Sequence, residues 1–296
     1  MSTLSQRLLF KTAVFNEGMV LPGAYNGLTA KQIQQAGFKG VYISGAGLSA
    51  STGLPDIELL SLTEWITFIR YIVSSVDIGC ICDADTGFGS LCVIRRMIES
   101  FESIGLCGCH IEDQVSPKRC GHLDQKQLID TDLMCEKIRA ACLARKDPDF
   151  LIIARCDAYD IEGLNGLLDR CRAYIEAGAD MIFPEALDHR NTFSQVASAL
   201  SVPLVANMTE FGKSDLIPSP DLIDMGYRLV LYPVSALRIQ AYASEKFFHD
   251  LFLSGCQQKF LKSMQTRDEL YSLLKYEDYV QFDQNLLFKG GENDNT

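Results

Sequence analysis

The chain has 296 residues, of which 47% are hydrophobic and 22% charged, so it can bury a large core and is not typical of a disordered protein. Its formal net charge of −11 argues against nucleic acid as a partner, since no basic surface is available to neutralise phosphates. The sequence contains no apolar run long enough to cross a bilayer, so we expect no membrane partner.

The cysteine content favours a reducing compartment. The chain has eleven cysteines, an odd number, and several lie within apolar runs such as 78–85, IGCICDAD. Scattered cysteines in a chain of this size are typical of reduced thiols, so we expect a cytoplasmic protein, or a mitochondrial matrix protein if the source is eukaryotic. Residues 107–110, CGCH, resemble part of a zinc site, but no second pair of ligands follows at a suitable spacing, and we predict a buried strand there.

The first element in chain order is a predicted helix. Residues 1–15 carry two cations and no acid, which is weakly similar to a transit peptide, but they lack the continuous apolar stretch of a secretory signal. We expect this segment to form a helix that packs on the folded domain.

Eight short apolar runs follow, separated by helix-like segments such as 62–73, 132–146 and 167–180. Near-continuous apolar strands that alternate with helices predict a parallel sheet covered by helices. Eight such units predict the α/β class and a (β/α)8 TIM-type barrel, whereas a doubly wound sheet would need a G-x-G-x-x-G sequence after the first strand, which is missing. The predicted strands are residues 19–24, 40–45, 78–85, 108–113, 150–157, 181–186, 203–208 and 228–233.

The last part of the chain is predicted to be helical over residues 236–282 and to end in a polar, frayed tail at 290–296. No repeat or linker divides the sequence. We therefore expect one domain, residues 1–296, in which a barrel carries an N-terminal helix and a C-terminal helical extension.

Polar side chains lie at the ends of predicted strands two to seven. The active site of a barrel lies at the carboxyl ends of its strands, and residues i and i+2 of a strand point to the same side. Because buried charged groups are costly unless they are paired or bind a ligand, we expect this set to converge on one mouth. Asp157 and Thr209 have the alternative role of capping the helices that follow. The set is Tyr42, Ser44, Gly45, Ala46, Gly47, Asp83, Asp85, His110, Glu112, Arg155, Asp157, Glu185, Asn207 and Thr209.

The oxygen-rich composition of this set favours a hard cation and an anionic ligand. Four carboxylates with few histidines suit Mg²⁺, which keeps several waters and takes few direct protein ligands. The turn at residues 44–46 offers N–H donors to an anion, and Arg155 can hold a carboxylate bidentately. Metal and carboxylate together indicate chemistry through an enolate or enediolate, which needs a proton donor. The carboxylates are those of Asp83, Asp85, Glu112 and Glu185.

One loop-like segment, residues 116–124 with the sequence SPKRCGHLD, places a thiol among cations. Cys120 lies near Lys118, Arg119 and His122, and cations beside a thiol favour its reactive thiolate form. The alternative is a solvated basic loop with an incidental cysteine. Because the segment begins just after the fourth strand, we expect it to lie over the mouth as a lid and to supply the proton.

Five segments together resemble the isocitrate lyase and phosphoenolpyruvate mutase superfamily, and within it they are most similar to the 2-methylisocitrate lyase family. The resemblance runs in order from about residue 12 to 285. It implies a (β/α)8 barrel whose last helix swaps with a partner in a homotetramer. It also implies reversible cleavage of 2-methylisocitrate, a small tricarboxylate, to pyruvate and succinate in the methylcitrate cycle of propionate breakdown. The segments are 83–89 (DADTGFG), 110–114 (HIEDQ), 118–122 (KRCGH), 181–186 (MIFPEA) and 207–212 (NMTEFG).

The resemblance also implies roles for individual residues. Cys120 would protonate the succinate enediolate as general acid, tuned by Lys118 and His122, and Tyr42 would deprotonate the substrate hydroxyl. Asp83 and Asp85 would hold Mg²⁺, for which Mn²⁺ can substitute, with Asp56 and Glu112 in the outer sphere. The implied substrate-binding residues are Ser44, Gly45, Ala46, Gly121, Arg155, Glu185, Asn207, Thr209, Arg238 and Arg267. For the last two, an ion pair to a neighbouring helix is the alternative.

Other members of the superfamily remain as alternatives. Isocitrate lyases read KKCGH and carry extra helical segments, and dimethylmalate or other 2-alkylmalate lyases share the loop cysteine but differ in pocket shape. Decarboxylases, phosphonopyruvate hydrolases and mutases lack the KRCGH loop, and a non-catalytic carboxylate-binding barrel would have lost a site carboxylate or Cys120. Pro233 favours the methylisocitrate form. The chain departs from the family pattern at Ala46, where glycine is usual, and at Cys156, where threonine is common.

Overall fold

The computed structural model describes residues 3–123 and 125–289. The predicted frayed tail at 290–296 and the turn residue Asp124 lie outside the described residues. Eight parallel strands form a closed barrel in chain order, and the first strand pairs with the eighth, which confirms the predicted (β/α)8 fold. The strands are β1 Met19–Ala24, β2 Gly40–Ile43, β3 Gly79–Asp83, β4 Gly108–Glu112, β5 Leu151–Cys156, β6 Met181–Pro184, β7 Leu204–Asn207 and β8 Tyr227–Tyr232.

Helices precede, separate and follow the strands. Several begin at a side-chain cap, as where Ser61 and Glu64 form a capping box at the start of α4. The helices are α1 Thr3–Glu17, α2 Gly27–Gln35, α3 Gly45–Ser51, α4 Leu62–Val73, α5 Leu91–Ser103, α6 Thr131–Ala144, α7 Tyr159–Glu176, α8 Arg190–Ala199, α9 Ser219–Met225, α10 Ser235–Ser254, a 3₁₀ helix Gln258–Ser263, α11 Arg267–Leu274 and α12 Tyr276–Lys289.

Three observed strands end two residues earlier than predicted, and four others end one residue earlier. Strand β2 stops at Ile43 because Ser44 caps α3, its side chain accepting from Gly47 N at 3.3 Å. Strands β3 and β6 stop before Asp85 and Ala186, whose φ angles of +43° and +56° are left-handed and cannot continue a strand. The polar residues of these three segments therefore lie on short turns at the carboxyl end of the barrel.

The apolar core has two layers. One lies between the outer faces of the strands and the helices, and the other fills the barrel interior. Phe10 and Val14 of α1 belong to the inner layer. The starts of β2 and β3 are glycines, and a Cβ added at Gly79 would lie 2.2 Å from the Phe10 ring. Helix α1 therefore closes the amino end of the barrel, opposite the predicted site.

A buried arginine ties α1 to the loops at this end. Arg7 pairs with Asp147 at 2.9 Å, and both side chains are 5% exposed. Its Nε donates to the Leu106 carbonyl at 2.7 Å, and its Nη2 donates to the Glu102 carbonyl. Because a buried charge needs a partner, these bonds make the position of α1 specific.

The chain divides into two units, one up to Arg238 and the other from Ile239. In the second unit, the rings of Phe247 and Phe260 meet edge to face at 5.4 Å, and those of Tyr271 and Tyr276 stack at 4.7 Å. The single domain expected for residues 1–296 stays a prediction. Among the helices described, none has the length and apolar character required to span a membrane. All eleven cysteines lie among the described residues and are free.

Candidate active site

A cavity of about 110 Å³ lies at the carboxyl end of the barrel, where the predicted polar residues meet. It brings together fourteen of the predicted site residues: Tyr42, Ser44, Ala46, Asp56, Asp83, Lys118, Cys120, Gly121, His122, Arg155, Glu185, Asn207, Thr209 and Arg238. Phe183, Pro233 and Val234 complete the lining. Their carboxylates, cations and amide converge because alternate residues of each strand point into the barrel.

Of the residues to which the family resemblance gives a role, four are not part of this lining. Gly45 lies behind it and donates its N–H to Asp83 Oδ2 at 3.3 Å. Asp85 and Glu112 are buried and contact residues that line the cavity. Arg267 begins α11 in the second unit, and its assignment to the substrate stays a prediction.

One side of the cavity is acidic, and a lysine from the predicted lid lies between two of its carboxylates. Lys118 Nζ lies 2.8 Å from Asp56 Oδ1 and 2.9 Å from Asp85 Oδ1. Burial would lower the pKa of Lys118, but Asp85 and the other carboxylates raise it well above its usual value. Lys118 is therefore a cation inside the site, and its contacts are with carboxylates.

The neighbouring aspartates titrate very differently. Burial opposes ionisation of Asp83, but His110 and Lys118 outweigh it and lower the pKa to about 2. Burial and the charge of Asp83 raise the pKa of Asp85 to about 7, in spite of Lys118. Asp83 therefore stays ionised across the physiological range.

Arg155 on β5 is held by three carboxylates at the opposite side of the cavity. Its Nε and Nη2 donate to Asp157 at 2.9 and 3.0 Å, and it also lies 3.3 Å from Glu112 and 3.5 Å from Glu185. Burial would lower the pKa of Arg155, but Asp157 and Glu112 raise it. The fork predicted to hold a substrate carboxylate is thus occupied by Asp157, and Arg155 can offer a substrate its remaining N–H groups.

Tyr42 and His110 form a buried pair at the floor of the site. The Tyr42 hydroxyl lies 2.8 Å from His110 Nε2, and His110 Nδ1 lies 3.6 Å from Asp83 Oδ1. Burial lowers the pKa of His110 to about 4, so the ring is neutral at pH 7. Burial and Asp83 raise the pKa of Tyr42 well above 10. Since Asp83 attracts a proton on Nδ1, Nε2 is left to accept from the tyrosine hydroxyl, and the role of Tyr42 as base stays a prediction.

The cysteine loop, residues 115–127, joins β4 to α6 and is closed at its base. Gln114 and Leu128 form an antiparallel bridge, flanked by the bond from Val115 N to the Gln127 carbonyl at 2.8 Å. At its tip, Cys120 is exposed and lines the cavity. A Cβ at Gly121 would lie 2.4 Å from both Arg155 Nη2 and Glu185 Oε1. A side chain at position 121 would therefore displace Arg155 and Glu185 in the site.

His122 connects the cysteine loop to the segment after β7. Its Nδ1 accepts from Lys213 N at 3.0 Å, and its Nε2 lies 3.4 Å from Glu185 Oε1. Asn207 Nδ2 lies 3.2 Å from each oxygen of Glu185. The described contacts of His122 are thus with Glu185 and Lys213, and its predicted influence on the thiol stays a prediction.

Arg238 lies at the rim of the cavity. It is half exposed, 3.7 Å from Glu210, and its guanidinium is 5.3 Å from the centre of the Phe211 ring. A substrate carboxylate could therefore reach it with little rearrangement. The ion pair proposed as its alternative role is present, but to a loop residue rather than to a neighbouring helix.

The carboxylates of the site fit a hard cation that takes few protein ligands. Glu112 Oε1 is buried and has no partner among the described residues, whereas Asp85 Oδ1 and Glu112 Oε2 lie 2.9 Å from Lys118 and 3.3 Å from Arg155. Throughout the described chain, no three His, Cys, Asp or Glu side chains are grouped as a metal site made wholly of protein would require. Carboxylate oxygens are ligands that Mg²⁺ accepts, and it fills most of its octahedron with water and substrate oxygens.

The departures noted in the sequence do not disturb the site. Ala46 lies in the first turn of α3, where φ is negative and a side chain is tolerated. Cys156 packs in the outer core, away from the cavity. In residues 107–110, Cys109 packs in the outer layer while His110 points inward, so these two cannot share a zinc ion.

Two lining residues, Phe183 and Val234, were not singled out from the sequence, nor were three polar residues beside the site, Glu58, Gln114 and Lys126. Lys126 Nζ donates to the Gly121 carbonyl at 2.6 Å, and Glu58 Oε2 accepts from Ser116 Oγ at 2.6 Å. Gln114 is part of the HIEDQ segment, but nothing in its local pattern indicates its partners. All three hold the cysteine loop, and only the folded chain shows it.

Known proteins match nearly the whole chain. A family model described as phosphoenolpyruvate phosphomutase matches residues 11–252. The chain is 46% identical to a probable 2-methylisocitrate lyase of Corynebacterium glutamicum over 97% of its length and 95% of that protein. It is 40% identical to the 2-methylisocitrate lyase of Escherichia coli over 97% of its length and 98% of that protein. A crystal structure of 2,3-dimethylmalate lyase superposes with a TM-score of 0.88 at 33% identity, covering 96% of this chain and 95% of the other.

Proposed function

The chain belongs to the phosphoenolpyruvate mutase/isocitrate lyase family and is a carbon–carbon lyase, and we propose that it cleaves 2-methylisocitrate reversibly to pyruvate and succinate. The observation that carries this proposal is the position of an exposed thiol, Cys120, at the edge of a cavity that holds Asp83, Arg155 and Glu185. The names of the relatives support the substrate. We place the reaction in the methylcitrate cycle of propionate breakdown. The proposed location is the cytoplasm or the mitochondrial matrix, and the free cysteines support such a reducing compartment.

The proposed mechanism uses a base and an acid on one substrate. The base takes the hydroxyl proton of 2-methylisocitrate, a C–C bond breaks, and the hydroxyl carbon becomes the keto carbon of pyruvate. The electron pair of that bond remains on the succinate fragment as an enediolate, and Cys120 Sγ delivers a proton to its carbon. In the reverse direction the thiolate removes the same proton. Tyr42 is the proposed base: as its oxygen takes the substrate proton, its own hydroxyl proton passes to Nε2 of the neutral His110, 2.8 Å away.

Mg²⁺ would be held by Asp83 and Asp85, with Asp56 and Glu112 nearby, and when bound it would stabilise negative charge on the substrate oxygens. The chain's own residues orient the substrate. Ser44, Ala46, Asn207 and Arg155 line the cavity. The N–H groups of Arg155 that Asp157 does not bind would donate to a substrate carboxylate. Arg238 at the rim suits a third carboxylate.

The experiment that tests the function compares two cleavages under the same conditions with Mg²⁺. We expect strong release of pyruvate from 2-methylisocitrate and weak release of glyoxylate from isocitrate. The reverse result would assign isocitrate lyase activity and make our interpretation of Pro233 wrong. If neither product forms and a keto acid is released from 2,3-dimethylmalate, the result would favour the second candidate, a 2,3-dimethylmalate lyase. The similarity to the structure of 2,3-dimethylmalate lyase supports that candidate.

We also propose that the protein is a homotetramer in which the C-terminal helices pack on a partner. The second unit exposes many large apolar side chains, a property that marks association surfaces. Phe252 is 89% exposed, Tyr279 75% and Phe282 66%. Such exposure is costly in water, and a second copy of the chain would remove it.

Light scattering is therefore expected to give a mass near four chains of 32.9 kDa each. Phe252→Asp should lower that mass, because a charge would be buried in the interface. Leu143→Asp, at a side chain of α6 that is 87% exposed, serves as the matched control and should leave the mass unchanged. A clean monomer for the unmodified chain would contradict the proposed assembly.

A further inference from the structure

We propose that Gln114 is a positioning residue for Cys120. Its side-chain amide forms hydrogen bonds to the backbone of Arg119, the residue before the thiol. It also donates to Asp157, which forms an ion pair with Arg155. This inference rests on the proposed function in one respect, namely that Cys120 is the proton donor.

Both N–H groups and the oxygen of the Gln114 amide form hydrogen bonds, and two of these bonds are to the backbone N–H and C=O of one residue. Its Oε1 accepts from Arg119 N at 3.0 Å, and its Nε2 donates to the Arg119 carbonyl at 2.9 Å. The other Nε2 proton goes to Asp157 Oδ1 at 3.1 Å. The side chain is buried, with the residue 1% exposed. A glutamine in this arrangement acts as a neighbouring strand would, since it pairs with the N–H and the C=O of the same residue.

The backbone from which this side chain extends is held by hydrogen bonds to neighbouring segments. The backbone of Gln114 is bridged to Leu128 across the base of the loop. Its neighbour Asp113 accepts from Asp157 N at 2.8 Å and from the Tyr174 hydroxyl at 2.7 Å. Gln114 is therefore anchored to β4 and to the turn after β5, and it holds the loop tip relative to those elements.

The Gln114 amide thus connects the residue next to the thiol, through hydrogen bonds, to the side of the cavity that is proposed to bind substrate. Asp157 receives two hydrogen bonds from Arg155 and one from Gln114. Arg155 lines the cavity, and Gln114 fixes the residue next to Cys120. A proton donor displaced by about 1 Å loses about 100-fold in rate, so this link would act on kcat.

Other side chains hold the loop independently of Gln114. Lys126 Nζ donates to the Gly121 carbonyl at 2.6 Å, and Glu58 Oε2 accepts from Lys118 N at 3.1 Å. Because these anchors lie on either side of residues 119 and 120, removing the Gln114 amide should loosen the tip and leave the rest of the loop and the barrel in place.

Gln114→Glu is the sharpest variant, because it keeps the size and the acceptor for Arg119 N. It replaces the Nε2 donor by an oxygen that faces the Arg119 carbonyl and Asp157, so two attractive contacts become repulsive. Gln114→Ala removes the amide without adding charge. Gln127→Glu, the same substitution at an exposed position of the same loop, is the matched control.

Three quantities are measured on the full chain: kcat and KM with 2-methylisocitrate and Mg²⁺, amide hydrogen exchange of the peptide 115–123, and the urea midpoint of unfolding. For Gln114→Glu we expect kcat to fall about 100-fold with KM changed less than about threefold, and Arg119 N–H to exchange faster. Gln114→Ala should show a smaller loss in the same direction, and Gln127→Glu should stay within about twofold of the unmodified enzyme.

The proposal is overturned if Gln114→Glu and Gln114→Ala keep a normal kcat. It is also overturned if kcat falls while exchange of the peptide is unchanged, or if the urea midpoint collapses in both variants, since a purely structural role would then explain the loss. Hydrogen exchange needs no turnover, so failure of the substrate assignment and failure of the Gln114 inference are distinguishable.

Discussion

Replacing Cys120 by serine is expected to lower kcat by about 10² to 10⁴-fold, the range that a general acid contributes. The hydroxyl is nearly the size of the thiol but releases its proton far less readily. The residue is exposed at the edge of the cavity, and Gly121 brings the backbone against Arg155 and Glu185. The variant should therefore lose proton delivery while the shape of the site is retained.

Binding separates this chemical loss from damage to the site. Calorimetric titration of Cys120→Ser with succinate, in the presence of pyruvate and Mg²⁺, should give an affinity close to that of the unmodified enzyme. Cys92→Ser and Cys256→Ser change the other two exposed cysteines and should retain full turnover. Near-normal turnover in Cys120→Ser would remove this thiol from the mechanism.

Removal of divalent metal by EDTA is expected to stop turnover almost completely. The physical reason is that the buried carboxyl groups of Asp85 and Glu112 lie close to the ionised Asp83. Without the metal ion these groups repel the negative charge that develops on the substrate, and their protein counter-charges are Lys118, 2.9 Å from Asp85, and Arg155, 3.3 Å from Glu112. Activity should return with Mg²⁺ or Mn²⁺ and poorly with Ca²⁺, whose larger shell of six to eight ligands suits a different cavity.

Two controls accompany the metal experiment. EDTA that is saturated with Mg²⁺ before addition should leave turnover unchanged, which excludes an effect of the chelator itself. Asp83→Asn should weaken Mn²⁺ binding measured directly by calorimetry, a result that does not depend on turnover. Full activity after exhaustive metal removal would rule out the proposed role of Mg²⁺.

Much of the site could be predicted from the sequence because it depends on local periodicity. Asp83, Glu112 and Arg155 come at the ends of apolar runs, and the alternation of strand side chains turns them towards the same interior. Closure of the barrel then brings their strands together, as the pairs Asp83 with His110 and Glu112 with Arg155 show. The barrel and the convergence of polar groups thus followed from patterns within a few residues.

The partners of these side chains could not be predicted in the same way. The sequence indicated that Arg155 would hold a substrate carboxylate, whereas its fork is bound to Asp157. It indicated that Lys118 would act on the thiol, whereas its Nζ contacts Asp56 and Asp85. Each pairing depends on how the strands and loops meet, and it decides which group remains free for a ligand.

By itself the sequence determined the barrel, the carboxylate-rich mouth and a cysteine-bearing loop after the fourth strand, since hydrophobic period and turn residues act over short distances. Only the tertiary structure decided how that loop is held. Gln114 and Lys126 reach Arg119, Gly121 and Asp157 across the mouth of the barrel. Such contacts join side chains whose separation is set by the folded backbone, and buried polar groups take whichever partner the fold brings within hydrogen-bond distance.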